Sequence, residues 1–406
     1  MVRFRVSPEL GKYVFHCHIL EHEDGGMMMA ILALPNPSQR RVALGTSSGE
    51  RATVLVRDGN GRPQGRIRPG PRDKKGGLAT ATGILSNDDT EDVVVARRAF
   101  PHSPAYVSVY NGMNLRRIHR FEPFPDFHRG GVSVAAGDIN GDGRAEIIAG
   151  RLGPGASLVR VFRPDGTRVR QIKGTIPGRL PHGVTVTSAD LNGDNFDDLA
   201  IGAARGRAPR VVALDGSTLG DTSRPPKTLF SFRADDGNKS GVNLASGYYD
   251  PRTRPGLLAN LITTPQKGPH AGRVRVWTPQ FVEQHGASES TSTMPQLMAS
   301  FRPFGGHTHG GLRLAVTRLG PQGVDALATW RNPRKPKYVS ISNDGVISYV
   351  PTPVTNGTGV LRQRVPRGAA VPVSLRGGPL WVCHYTRHGL VLTRTPAKGF
   401  PARSSG

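Results

Sequence analysis

Cys17 is flanked by His16 and His18, with His22 five positions further on and Met27 five beyond that, all within GKYVFHCHILEHEDGGMMMA. A soft thiolate, imidazoles and a weak axial thioether suit copper that passes single electrons, and Cys17, His22 and Met27 would make such a set. If the segment is a strand, alternation turns Cys17 to one face and His16 and His18 to the other. One strand would then serve two metal centres.

Harder donors lie downstream. In GDINGDGRAE and ADLNGDNFDD, the residues Asp138, Asn140, Asp142, Glu146 and Asp190, Asn192, Asp194, Asp198 hold positions 1, 3, 5 and 9 of two loops. Oxygen ligands at that spacing can wrap one calcium ion, and glycine or asparagine at position 6 helps the sharp turn. The alternative is a solvated acidic turn.

The stretch from His16 to Met27 resembles the C-terminal signature of multicopper oxidases, HCHxxxHxxxGM. The resemblance implies mononuclear electron-entry copper on Cys17, His22 and Met27, and trinuclear copper, where dioxygen is reduced to water, on His16 and His18. It also lays a proton-delivery role on Glu23. That family draws one more mononuclear-site histidine and six more trinuclear ligands from earlier segments, so the expected partners are upstream cupredoxin domains, in the same gene or a separate chain. Met1 is accordingly expected to be an internal methionine or a late start, and these residues alone are expected not to act as an oxidase. About 35 residues cannot bury a core of their own, so this segment is a fragment of a cupredoxin domain.

A repeat organises the remainder. GGLATATG, GGVSVAAG, HGVTVTSA, SGVNLASG and GGLRLAVT start successive units, with their second residues at Gly77, Gly131, Gly183, Gly241 and Gly311. A period of this size points to propeller blades or solenoid units. Each start leads through a polar loop to a β-branched run such as EIIAG, then to a further strand such as VRVF, which fits a four-stranded antiparallel blade. RVALGTSSGERATVLVRDGNG, from Arg41, matches the later half of a unit without its glycine start. Strands from both chain ends are expected to close one blade, leaving no free sheet edge. FRPFGGHTHGG, with His307 and His309, fits the same repeat frame as FEPFPDFHRGG better than it fits a copper half-site.

With their acidic loops, these units resemble the FG-GAP (VCBS) repeats of integrin α propellers, in which calcium stiffens an inter-strand loop and does no chemistry. Other units depart from the ligand pattern: Ile84, Ser86, Asp88 and Asp92 in one, Tyr248, Asp250 and Arg252 in another, Arg318, Gly320 and Gln322 in a third. No calcium is expected there. The fold class is therefore all-β: a cupredoxin fragment over residues 1–36, a linker over 37–41, and a propeller of six or seven FG-GAP-like blades over 42–406.

Glycine and proline number 52 and 34 of 406 residues, too many for a helical protein, and no apolar run is long enough to cross a bilayer. A formal charge of +24 would draw the chain toward an anionic polymer or cell surface, although a general arginine bias explains it equally well. No nucleic-acid-binding motif occurs. Cys383, His384 and His388 echo the copper signature without its leading histidine or trailing methionine, so strand filler is the expected role. Both resemblances imply an extracellular or periplasmic setting, yet the sequence opens without a signal peptide. Three functions stand open: the tail of a copper oxidase, a calcium-stabilised propeller for adhesion or scaffolding, and a basic surface for anionic polymers.

Overall fold

The computed structural model describes residues 11–16, 28–33, 38–46, 51–59, 61–70, 77–97, 105–126, 130–237, 239–247, 258–282, 291–304, 311–318, 325–330, 337–341, 347–350, 372–373, 381–386 and 389–394, with side chains for those within 38–279 and 294–316. Strands β1 (Gly11–His16) and β2 (Met28–Ala33) pair antiparallel. A three-stranded sheet follows, made of β3 (Arg41–Gly45), β4 (Val54–Asp58) and β5 (Pro63–Ile67). Five four-stranded meanders come next: β6 (Leu78–Gly83) to β9 (Arg117–Phe121), β10 (Gly131–Gly137) to β13 (Arg168–Lys173), β14 (Val184–Ala189) to β17 (Thr228–Arg233), β18 (Val242–Gly247) to β21 (Thr291–Phe301), and β22 (Arg313–Arg318) to β25 (Ile347–Val350).

Each meander is a propeller blade. The first strands β3, β6, β10, β14, β18 and β22 neighbour one another in turn, and β22 returns to β3, so Met1–Thr352 contains a closed ring. The core lies between adjacent sheets. Ile148, Val161, Leu199 and Ile201 pack in one such layer, and Val94, Val109, Val134 and Ile147 in another. The sequence pattern follows from this geometry. Strands covered on both faces are almost wholly apolar, as in EIIAGRL (β11, Glu146–Leu152) and LVRVF (β12, Leu158–Phe162), whereas the outermost strand β13 alternates exposed and buried.

The blade count corrects the expectation of six or seven. Five complete four-stranded blades are present, and the remaining place in the ring is held by the three-stranded sheet. The reason is the missing glycine start. Arg41–Gly45 corresponds to the second strand of a unit, and with no first strand described inside it, Arg41, Val42 and Ala43 line the axial cavity beside first-strand residues such as Val134 and Val186. Among the described residues, that sheet contains β3, β4 and β5, without the expected strand from the other end of the chain. A second unit, Pro353–Gly406, has its own sheet of β26 (Pro372–Val373), β27 (Trp381–Thr386) and β28 (Gly389–Arg394). Cys383 lies in β27, opposite Leu392 in register.

The repeat glycines have a steric cause. Gly183 sits at φ 73° and Gly241 at φ 59° just before β14 and β18. A Cβ at Gly183 would lie 2.0 Å from the Arg151 carbonyl oxygen, and one at Gly241 would lie 2.1 Å from the Arg205 backbone nitrogen. Left-handed backbone and close approach to the preceding blade both demand glycine. Gly183→Ala should therefore lower unfolding free energy by about 1–3 kcal/mol from backbone strain alone, read by urea denaturation. An unchanged midpoint would mean that the blades do not meet as closely as described.

Candidate metal-binding loops

Loop 138–146 joins β10 to β11, and loop 190–198 joins β14 to β15 (Asp198–Ala203). In the first, the Asp138 carboxylate accepts the backbone N–H groups of Gly141, Asp142 and Gly143 at 2.7, 3.2 and 2.8 Å. The Asn140 amide nitrogen donates to Asp142 Oδ2 and to Glu146 Oε1, both at 3.1 Å. The donors from positions 3, 5 and 9 therefore already converge. Gly143, at position 6, has φ 84°, as the turn requires.

The second loop repeats the plan. Asp190 accepts N–H groups from Gly193 (2.5 Å) and Asn195 (3.1 Å), Asn192 donates to Asp194 (2.9 Å), and Asn195 takes the position-6 turn at φ 76°. Asparagine tolerates this conformation better than most residues. Asp198 accepts from Leu191 at 2.7 Å and from Gly216 at 2.8 Å, clamping the loop to the hairpin after β16 (Arg210–Leu214).

One residue escaped the sequence pattern. Asp215, just after β16, brings a carboxylate oxygen to the group formed by Asp194 and Asp198, all three within 4.8 Å of one another. Its signal would have been register rather than spacing, because the residue after the third strand is Asn111 in one blade, Arg163 in the next and Asp215 in this one. Asn111 donates its amide to Asp88 at 2.8 Å, which supplies a hydrogen-bond donor where the ligand pattern lacks its first carboxylate. Arg163 lies close enough to favour ionised Glu146. Asp215 supplies neither, and a cation is the natural complement.

Electrostatics point the same way. Desolvation pushes Glu146 up to about 7 and Asp198 up to about 8, with neighbouring carboxylates adding to the effect, and desolvation raises Asp138 and Asp194 as well. Asp197, beside Asp198, is likewise pushed by desolvation to about 7. The donor set is oxygen-only, short of positive charge and converged, so it fits calcium.

The loops also join blades. The Asp138 carbonyl accepts the Asp197 N–H at 2.7 Å, and Asp138 N–H donates to Asp197 Oδ2 at 3.0 Å. Corresponding backbone bonds run from Glu91 to Gln39, from Ala145 to Ile84 and from Ala259 to Asp190. Fixing position 1 of a loop fixes the junction to the next blade.

Of the copper residues, only the backbone of His16 is described. The register of β1 and β2 sets His16 opposite Met28, so the chain leaves and re-enters this hairpin at adjacent points. Cys17, His18, His22, Glu23 and Met27 lie outside the described residues, as do His307, His309, Tyr248, Asp250, Arg252, Gly320 and Gln322.

A ring of four-stranded blades is a β-propeller, and in two of its blades a complete acidic loop joins the first strand to the second. The FG-GAP repeat family matches residues 130–162 and 182–216, which are the two units with complete acidic loops. The multicopper oxidase family matches residues 1–37. Integrin alpha-5 of Xenopus laevis is 31% identical over 176 residues, covering 38% of this chain and 16% of the relative. Integrin alpha-6 of Gallus gallus is 29% identical over 181 residues, covering 41% and 16%. The chain thus spans about a sixth of the length of these relatives. Among solved structures, an Agrocybe aegerita lectin that recognises non-reducing terminal N-acetylglucosamine superposes with a TM-score of 0.39 at 13% identity, covering 79% of this chain and 85% of that one, a likeness too loose to bear on function.

In calcium-free protein, carboxyls whose folded pKa lies above the unfolded value favour folding most when protonated. That contribution is complete below about pH 4 and is lost as pH rises through 7 to 8. Unfolding temperature in chelator should therefore fall between about pH 5 and 8, and Asp198→Asn should flatten the fall. A rise over that range would contradict the buried, repelling carboxylates described here.

Proposed function

We propose that this chain joins the electron-entry end of a multicopper oxidase to a calcium-stabilised propeller that serves as an extracellular interaction scaffold. The propeller part rests on one observation: Asp194, Asp198 and Asp215 bring carboxylate oxygens within 4.8 Å of one another, at a loop whose first residue, Asp190, carries the bond to the next blade. Asp138, Asn140, Asp142 and Glu146 would hold one calcium ion. Asp190, Asn192, Asp194 and Asp198, with Asp215 beside them, would hold another. The ions would stiffen blade junctions and take no part in catalysis. Similarity to extracellular integrin α chains supports an extracellular setting, and no helix among the described residues is long and apolar enough to cross a membrane.

The copper part rests on the HCHxxxHxxxGM signature and the family match over residues 1–37. Cys17, His22 and Met27 would hold the mononuclear copper, His16 and His18 would contribute to a trinuclear cluster, and Glu23 would carry protons. Copper bound there would supply oxidation of a donor coupled to dioxygen reduction. Further histidine ligands would have to come from upstream cupredoxin domains, so these residues alone should not turn over.

Chelation of calcium-loaded protein should lower the unfolding temperature, since a ligand confined to the folded state contributes about 2.7 kcal/mol per site at a hundredfold excess over Kd. An unchanged transition in a sample shown to start calcium-loaded would remove the calcium assignment. For copper, the loaded chain should show a thiolate charge-transfer band that Cys17→Ser abolishes, with dioxygen uptake no higher than in that variant. Robust uptake lost in Cys17→Ser would instead mean that the chain assembles a complete oxidase.

A further inference from the structure

Opposite the calcium loops, at the other end of the strands, β14–β17 and β18–β21 present a cleft of about 440 Å3. His182, Arg205, Lys239 and Lys267 stand around it, and among the described residues none of the four side chains has an ion-pair partner. The arginine and both lysines are exposed. Asp235 also lines the cleft, but its charge is already committed: it is buried, pairs with Arg275 and accepts His270 Nδ1 at 3.0 Å. Burial pushes its carboxyl up, yet hydrogen bonds and charge from Arg275 and His270 more than offset this and hold it low. The net field in the cleft is positive.

The cations are held in place by backbone. Gly206 N–H donates to the Lys239 carbonyl at 2.9 Å, Arg205 N–H donates to Gln266 Oε1 at 2.9 Å, and Gly241 N–H donates to the Arg207 carbonyl at 3.1 Å. Three loops from two blades are thereby tied together. Glycines leave room between them: Gly206, Gly237 and Gly268 line the cleft, and a Cβ on Gly268 would meet nothing within 4 Å. His182 is held below its ordinary pKa, by desolvation and then by Arg205.

We propose that this cleft binds an acidic polysaccharide, gripping carboxylate or sulfate groups with Arg205, Lys239 and Lys267. No phenylalanine, tyrosine or tryptophan lines the cleft, so it lacks the broad stacking platform that single-stranded nucleic acid uses and that would hold a neutral sugar. Recognition rests on oxyanions presented along a hydroxylated chain. The site is independent of both the copper and the calcium assignments.

The test is calorimetric titration of the full chain with polygalacturonate oligomers, heparin oligomers, neutral dextran and a single-stranded DNA of matched charge. A triple variant R205A/K239A/K267A is compared with R116A/R168A/K173A, which removes equal charge from exposed positions elsewhere. The cleft variant should lose affinity by on the order of tenfold or more for one or both acidic polysaccharides, while the control stays within about threefold. Whichever of polygalacturonate and heparin binds tighter identifies the preferred anion. Affinity should also fall by on the order of tenfold between about 50 and about 200 mM salt. Equal losses in the two variants, comparable binding of dextran, tighter binding of DNA, or no binding at all would each overturn the proposal. If the triple variant unfolds early, Lys239→Gln and Lys267→Gln singly carry the same comparison.

Discussion

The best-packed blades depend on how the carboxylate that opens the second strand, Asp92, Glu146 or Asp198, is satisfied once water is removed. Asp92 and Asp198 solve this alike. Asp92 accepts from Ser86 at 2.7 Å and Gly112 at 2.8 Å, and Asp198 accepts from Leu191 and Gly216, so each clamps its own loop to its own hairpin. Gly112 and Gly216 are glycines because a Cβ would lie 2.0 and 2.2 Å from the carbonyl oxygens of Glu91 and Asp197. The clamp therefore belongs to the fold. An isolated buried anion is expensive, and the blades differ in what faces their acidic loops: the Asn111 amide beside Asp88, the Arg163 guanidinium near Glu146, and the Asp215 carboxylate beside Asp194 and Asp198.

That difference explains what the sequence could reveal. Donor spacing within one loop is local, so positions 1, 3, 5 and 9 were visible from Asp138 to Glu146 and from Asp190 to Asp198. Asp215 was hidden because it reaches the same point from a hairpin 17 residues after Asp198, and only the pairing of β15 with β16 brings them together. The blade period was equally visible through its glycines, of which Gly183 and Gly241 combine left-handed backbone with close contacts that admit no other residue. The blade count was not. It depends on Arg41–Gly45 opening its sheet directly while packing against β6 and β22, which no pattern in RVALG announces. The copper signature was the plainest feature of the sequence, yet its chemistry depends on histidines that its own spacing cannot supply.

Charge is also sorted by the fold. Antiparallel meanders send the first-to-second and third-to-fourth connections to one end and the others to the opposite end. The complete acidic loops thus share one end, while Arg205, Lys239 and Lys267 gather at the other. A sequence scan that sees scattered basic residues misses this, because the sorting is imposed by strand direction. The molecule carries a dipolar arrangement of sites despite a strongly basic average.

The three-stranded sheet gives the ring a seam. Gln39, Arg40 and Arg41 are fastened to the next blade through Glu91, whose carboxylate accepts from the Arg41 N–H at 2.7 Å and from Arg40 Nε at 3.3 Å, while Arg41 Nε reaches the Gly112 carbonyl at 2.8 Å. Closure against β22 falls to the same strand. A pull applied at Gln39 would meet this riveted seam before it met any complete blade.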